Sequence, residues 1–162
     1  MSKILISGYY GFANAGDEAM LTAIIESLRQ VEKNVELTVL SGNPEDTAAK
    51  HQVCSVYRFN PLGIIRAMKD SELIISGGGS LLQDVTSKRS LLYYLSIIGL
   101  GKFFGKKVML FAQGIGPIRA KWARKLTSLV CNEADLITVR DSESAAELIE
   151  MGVKPEKITV TA

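Results

Sequence analysis

Runs of apolar β-formers recur along this chain, at 3–7, 35–40, 72–76, 107–112, 136–139 and 157–160, most of them without polar alternation. A strand with one wet face alternates polar and apolar residues, whereas a strand covered on both faces stays apolar throughout. The runs therefore predict a parallel sheet sandwiched between helices. The intervening segments have helical periodicity. Met20, Leu21, Ile24, Ile25, Leu28 and Val31 share one face of the first, with Glu26, Arg29 and Lys33 elsewhere. Further helices are predicted over 118–130 and 142–151, the second stopped by Gly152 and then Pro155. The β-α alternation predicts an α/β fold, a Rossmann-like doubly wound, mainly parallel sheet flanked by helices.

The middle of the chain is less regular. Residues 43–46 read as a turn, 53–57 as a short strand, and Pro61 as the opening of a helix. The segment from Leu91 to Phe104 is the most lipid-like, but Arg89 precedes it and Lys102 interrupts it. A bilayer needs ~20 apolar residues, so the segment is expected to be a buried helix. With 162 residues, 47% of them hydrophobic, the chain is long enough for one well-filled domain, 1–162, and two would be crowded. The last strand run is followed by no polar tail, which suggests a domain cut from something longer.

A formal net charge of +2 gives no single-sign field of the kind that attracts nucleic acid, so small molecules or glycans are the expected partners. Cys54 and Cys131 are far apart and His51 is the single histidine, so no metal site is indicated. Two reduced thiols and a start interrupted by Gly8 and Gly11 favour a cytoplasmic protein with its native beginning. His51, in a polar stretch, reads as a surface residue.

Three glycine-bearing loops follow strand-like runs: Gly8 to Glu18, Ser76 to Ser80 and Gln113 to Pro117. In open α/β sheets, ligands bind outside the carboxyl ends of the strands, so these loops form one wall of a cleft. In the first loop, Gly8, Gly11 and Gly16 do not have dinucleotide-binding spacing, and no Walker lysine follows. Asn14 is a plausible N-cap with Asp17 at the third helical position, and Asp17 and Glu18 complement the helix dipole. Their charges would repel a phosphate there. They suit hydroxyl recognition or general-base work, with Asn14, Asp17 and Glu18 as the candidate catalytic residues and Gly11 and Gly16 near the substrate. Capping alone accounts for the same residues. Tyr9, Tyr10 and Phe12 would stack on a sugar face or else seal the domain edge.

Gly77, Gly78, Gly79 and Ser80 offer backbone donors for an anion, with Lys88 and Arg89 close in sequence; a capping box between Ser80 and Gln83 is the bland alternative. In the third loop, Gly114 and Gly116 allow close backbone approach, Gln113 supplies an amide, and Pro117 suits a first helical turn. Arg140 follows a strand and presents a planar fork to a carboxylate or phosphate, or else pairs with Asp141, which is expected to cap the next helix. The helix bearing Arg119, Lys121, Trp122, Arg124 and Lys125 is basic and amphipathic, as in a solvated face or an anionic membrane surface.

Taken together, Gly-Tyr-Tyr-Gly-Phe-Ala-Asn-Ala-Gly-Asp-Glu at 8–18, Ser-Gly-Gly-Gly-Ser-Leu-Leu-Gln-Asp at 76–84, Ala-Gln-Gly-Ile-Gly-Pro at 112–117 and Val-Arg-Asp at 139–141 resemble the polysaccharide pyruvyl transferase family. The likeness is strongest to the bacterial cell-wall ketal pyruvyltransferases. It implies transfer of a pyruvyl group from phosphoenolpyruvate, the donor substrate, to two hydroxyls of a lipid-linked precursor sugar, commonly N-acetylmannosamine, with no cofactor. On that resemblance Arg140 holds the donor, the 77–80 and 114–116 loops supply backbone donors, and Asn14 with Asp17 orients acceptor hydroxyls. Gln83 and Gln113 lie beside these loops. The family resembles two-domain, glycosyltransferase-B-like proteins, and this chain resembles the amino-terminal half. That implies an inactive isolated chain, with a second domain as partner and peripheral contact at the inner face of the membrane. A nucleotide-sugar glycosyltransferase domain and a non-catalytic glycan- or anion-binding domain are the competing readings.

Overall fold

Each continuous apolar run becomes a parallel strand in the computed structural model of the chain, which describes residues 2–85 and 87–161. The elements in chain order are β1 (Lys3–Ser7), α1 (Ala15–Val31), β2 (Glu36–Ser41), α2 (Pro44–His51), β3 (Cys54–Tyr57), α3 (Pro61–Asp70), β4 (Leu73–Ser76), β5 (Gly79–Leu82), α4 (Lys88–Phe103), β6 (Lys107–Ile115), α5 (Lys121–Glu133), β7 (Leu136–Val139), α6 (Ser142–Met151) and β8 (Ile158–Val160). The sheet runs β3-β2-β1-β4-β6-β7-β8, with β5 also paired to β6. Every pairing is parallel. The winding moves outward from β1 to β3, then returns to place β4 on the other side of β1. That reversal is a topological switch point, where the loops after two neighbouring strands part and leave a crevice.

Both faces of the sheet are covered, as the absence of polar alternation requires. Ile4, Ile6, Leu37, Val39 and Ile75 join Leu21, Ile24 and Ile25 of α1 in one buried cluster. Their neighbours in the same strands, Leu5, Leu40 and Ile74, join a larger cluster with Ile64 and Met68 of α3, Leu91, Leu95 and Ile98 of α4, Cys131 of α5 and Leu148 of α6. Burying one such aliphatic side chain contributes about 1.5–3 kcal/mol, so alternation between two apolar faces is what holds these short strands in register. Side-chain caps fix the helix starts: Asn14, Asn43, Asn60, Ser87 and Asp141 each accept a hydrogen bond from the amide three residues on. Gly152, at φ 109°, ends α6.

The structure differs from the sequence reading at several points. Residues 43–46 are not a turn but the start of α2, because Asn43 caps and Pro44 fills the first helical position. Ser80 does not open a helix. Gly79–Leu82 instead extends the line of β4 as β5, pairing with Gln113 and Ile115, and the next helix waits for Ser87. The edge offered by β6 outcompetes a local cap. For the same reason β6 continues three residues beyond 112, so Gln113, Gly114 and Ile115 belong to a strand. Pro117 opens no helix, since α5 begins at Lys121 without a side-chain cap of its own. Asp84 accepts from the amides of Arg119 and Ala120 just before it. The final residue, Ala162, lies outside the described residues.

Candidate active site

The loops after β1 and β4 flank the switch point, and between them and α4 is a cavity of about 300 Å³ lined by Tyr9, Asp17, Ser80, Leu81, Gln83, Ser90 and Tyr94. Its placement at the carboxyl edge of the sheet agrees with the sequence expectation of a cleft there. Asn14 accepts from the amide of Asp17 at 3.1 Å, so the capping role is real. The same cap turns Asp17 toward Gly79, whose φ is 88° and where an added Cβ would come within 3.1 Å of Asp17 Oδ1. Burial, followed by the neighbouring Glu18, pushes the Asp17 carboxyl above its usual range. A carboxylate held in this way is a better proton acceptor near neutral pH. Glu18 itself faces away, lining the α1–α2 groove with Arg29 and His51. Among the described residues, neither its carboxylate oxygens nor His51 Nε2 has a hydrogen-bond partner.

The triple glycine serves packing more than ligand contact. Gly77 donates to the carbonyl of Ser7 at 2.7 Å and lies against the Tyr10 hydroxyl, and Gly78 lies against Met20, with no room for a Cβ at either. Ser80 is exposed, lines the cavity and is open to a ligand. Gln83 also lines it, with Gly116 packed on its Cβ. Gln113 is fully buried. Its Nε2 donates to the carbonyls of Ser76 at 2.9 Å and Gly77 at 3.0 Å, tying β6 to the end of β4. Gln113 Oε1, Ser7 Oγ and the Tyr10 hydroxyl have no partner among the described residues. Tyr10 thus departs from the expectation of an exposed stacking aromatic, because the glycines at 8 and 77 make a slot for its ring. Tyr9 and Phe12 do remain partly exposed, stacked on one another at 4.3 Å. Gly11, at φ 85°, turns the loop between Tyr9 and Phe12, and Gly16 lies exposed in the first turn of α1.

Farther along the edge, Arg140 lies over Gly114, where a side chain would collide with the guanidinium. Its Nε is 3.4 Å from Asp141, and both side chains are about half exposed. Asp141 caps α6 through the amide of Ser144 at 2.7 Å, and hydrogen bonds from Ser144 hold its carboxyl below the usual range. The ion pair and a ligand are both compatible with this Arg140, because an exposed pair is worth at most about 1 kcal/mol.

The sequence reading passed over Arg58. It follows β3, is 5% exposed, and sits 4.5 Å from the ring of Tyr93, 4.9 Å from Phe59, 5.2 Å from Phe12, 5.6 Å from Tyr94 and 5.8 Å from Tyr9. Each such contact contributes about 0.5–2 kcal/mol. Among the described residues no carboxylate pairs with it, and its Nε has no partner. The available signal was compositional, in the aromatic doublet Tyr93-Tyr94 and the Tyr57-Arg58-Phe59 triplet.

Among the described residues, no helix is long and apolar enough to cross a membrane, and no cluster of three or more metal-ligating side chains occurs. No curated protein matches the chain. Among solved structures, HepE of Anabaena in complex with UDP and glucose shares 12% identity at a TM-score of 0.64, over 99% of this chain and 44% of that one. A UDP-N-acetylglucosamine 2-epimerase shares 12% at 0.63, over 99% and 48%. The lipopolysaccharide galactosyltransferase WaaB, in its apo form, shares 16% at 0.57, over 98% and 44%. These likenesses show the fold, a Rossmann-like sheet similar to one half of glycosyltransferase-B-like proteins, and the chain spans less than half the length of the proteins it matches. The polysaccharide pyruvyl transferase family model matches residues 14–162, which takes in the Asp17 cap, the 76–84 segment and Arg140, and this chain therefore belongs to that family.

Proposed function

We propose that the chain is the amino-terminal half of a ketal pyruvyltransferase that moves a pyruvyl group from phosphoenolpyruvate onto two hydroxyls of a cell-wall precursor sugar, N-acetylmannosamine. The observation that carries this reading is family membership across 14–162, joined to a cleft where a carboxyl with raised proton affinity shares the lining with the polar side chains of Ser80 and Gln83. An acid protonates the donor's methylene carbon to a methyl, and positive charge develops at the carbon bearing the phosphate. One sugar hydroxyl attacks there and gives up its proton, phosphate leaves with the electrons of its C–O bond, and the second hydroxyl closes the ketal as it too loses a proton. Asp17 takes a hydroxyl proton. Asn14 fixes Asp17 through the helix cap, Glu18 raises its proton affinity from outside the cleft, and Ser80 and Gln83 orient the sugar. Arg140 holds the donor's carboxylate or phosphate.

A second domain supplies the opposite wall, and the donor is used without any cofactor. The acceptor is lipid-linked, so the reaction takes place at the cytoplasmic face of the membrane, where α5 offers exposed Lys121, Trp122 and Lys125. The test is phosphate release from phosphoenolpyruvate by the full-length protein, given a lipid-linked N-acetylmannosamine acceptor. Asp17→Asn is expected to lower kcat about 100-fold or more, the scale of general-base catalysis. Arg140→Ala is expected to raise the KM for phosphoenolpyruvate about 10-fold or more, as loss of a charge-assisted hydrogen bond does. Turnover of a nucleotide sugar in place of phosphoenolpyruvate would overturn the proposal.

A further inference from the structure

A guanidinium removed from water is costly unless something supplies the opposite charge. Arg124, which is partly buried, has Glu147 at 2.6 Å. Arg58, buried more deeply, has aromatic faces around it and donates from Nη2 to the hydroxyl of Tyr94 at 3.4 Å, with no carboxylate partner among the described residues. Even Asp17, which lines the neighbouring cavity, forms no ion pair with it. The cage is not sealed from that cavity, since Tyr9 and Tyr94 belong to both. Tyr94 is the chemical link. It is 3% exposed, and its oxygen accepts from Arg58, which leaves its own proton for donation. Among the described residues, no side chain or backbone group accepts that proton. The alternative wall, Tyr9 with Phe12, belongs to a loop that turns through left-handed backbone at Gly11 and Ala13.

We propose that Arg58 and Tyr94 form the anion-binding donor of this cleft: the guanidinium polarises the Tyr94 hydroxyl, which hydrogen-bonds an anionic oxygen of a phosphoryl or carboxyl ligand, and that ligand is the counter-ion Arg58 lacks. Attraction between the buried cation and an incoming anion is strong because little water separates them. Arg58 acts through Tyr94 and is a positioning residue; Tyr94 touches the ligand. Arg58 follows β3 and Tyr94 belongs to α4, whereas Arg140 follows β7, toward the other end of the sheet.

The test is calorimetric titration of the full-length protein with inorganic phosphate and, separately, with pyruvate, so that the two arms distinguish a phosphoryl from a carboxyl ligand. Wild-type protein is expected to bind one of them, and Tyr94→Phe, which removes only the oxygen, to bind it about 10-fold more weakly, as for one hydrogen bond to a charged group. Arg58→Met keeps the volume and loses the charge, so it should lose the binding equally. Arg58→Lys should recover part of it, a rescue that a packing role would not give. Binding as tight in Tyr94→Phe as in wild type, or none of either anion by wild type, overturns the proposal. The inference uses the cleft assigned above but not pyruvyl transfer. Normal turnover with unchanged phosphate and pyruvate affinity in Tyr94→Phe defeats this inference alone, whereas anion binding lost in the variants of a protein without turnover defeats only the transfer.

Discussion

Two arginines stand at opposite ends of the same sheet edge, and their settings are opposite. Arg140, after β7, is about half exposed, lies over a glycine and has Asp141 beside it. Arg58, after β3, is buried among five aromatic rings and has no carboxylate partner among the described residues. The difference teaches where charge acts most strongly. At Arg140, water screens the field and the side chain can reorient, so its worth lies in geometry toward a ligand. At Arg58, low polarity leaves the field unscreened and packing fixes its position.

The largest expected effect follows directly. Arg58→Ala removes a long buried side chain from under Tyr9 and Phe12 and leaves a cavity, at about 2–5 kcal/mol in stability. Arg140→Ala should change stability by no more than about 0.5 kcal/mol, as for most surface substitutions. Urea unfolding of the two variants measures both. Equal losses would break the comparison, because they would mean that Arg140 is held as firmly as Arg58.

Glycines repeat the contrast at smaller amplitude. A Cβ at Gly77 would strike the hydroxyl of Tyr10, a fully buried ring, and overpacking of that kind costs about 1–3 kcal/mol. A Cβ at Gly114 would strike the guanidinium of Arg140, the far end of a side chain free to move into water. Gly77→Ala is therefore expected to lower the melting temperature, and Gly114→Ala to leave it nearly unchanged while weakening donor binding. A melting temperature lowered equally by both would show that Arg140 is pinned in place.

What could be read from the sequence divides along the same line. The sheet, its two covered faces and the caps at Asn14 and Asp141 were legible, because each rests on residues adjacent in the chain or repeated at fixed spacing. The position of Arg140 was legible too, as a cation directly after an apolar run. Arg58 also follows a strand, but its character comes from Tyr9, Phe12, Tyr93 and Tyr94, which only the fold brings to it. The same holds for β5. A cap between Ser80 and Gln83 is a local option, and the strand won because the end of β6 was unpaired on that side. Gly77 and Gly78 suggested an anion nest for a similar reason. Their lack of a side chain is visible in the sequence, but the rings and thioether occupying that space are not.

Two carboxylates along the edge give the smallest effects, and these have opposite signs. Amides of Ala120 and Arg119 hold Asp84 below its usual range, so its ionised form favours the fold. That contribution is present above the unfolded value of 3.8 and is lost as pH falls through the lower folded value. Asp84→Asn should therefore destabilise the protein at neutral pH, and the deficit should vanish in acid. Asp17 is displaced upward, by burial and then by Glu18, so ionising it in the fold is unfavourable. Asp17→Asn should stabilise slightly at neutral pH. The gain should shrink as pH falls through the raised folded value and disappear below 3.8, where wild type is protonated in both states. Because water still reaches Asp17 the gain is small, and it is best read as the pH dependence of the difference in melting temperature between variant and wild type. A gain that grew toward acid would mean that the folded protein favours the ionised carboxylate. Asp17 would then be an ordinary acid of the first helical turn, and the cleft would lose its proposed proton acceptor. A gain confined to neutral pH, together with lost turnover, is the signature of a group kept at some expense to stability for its chemistry.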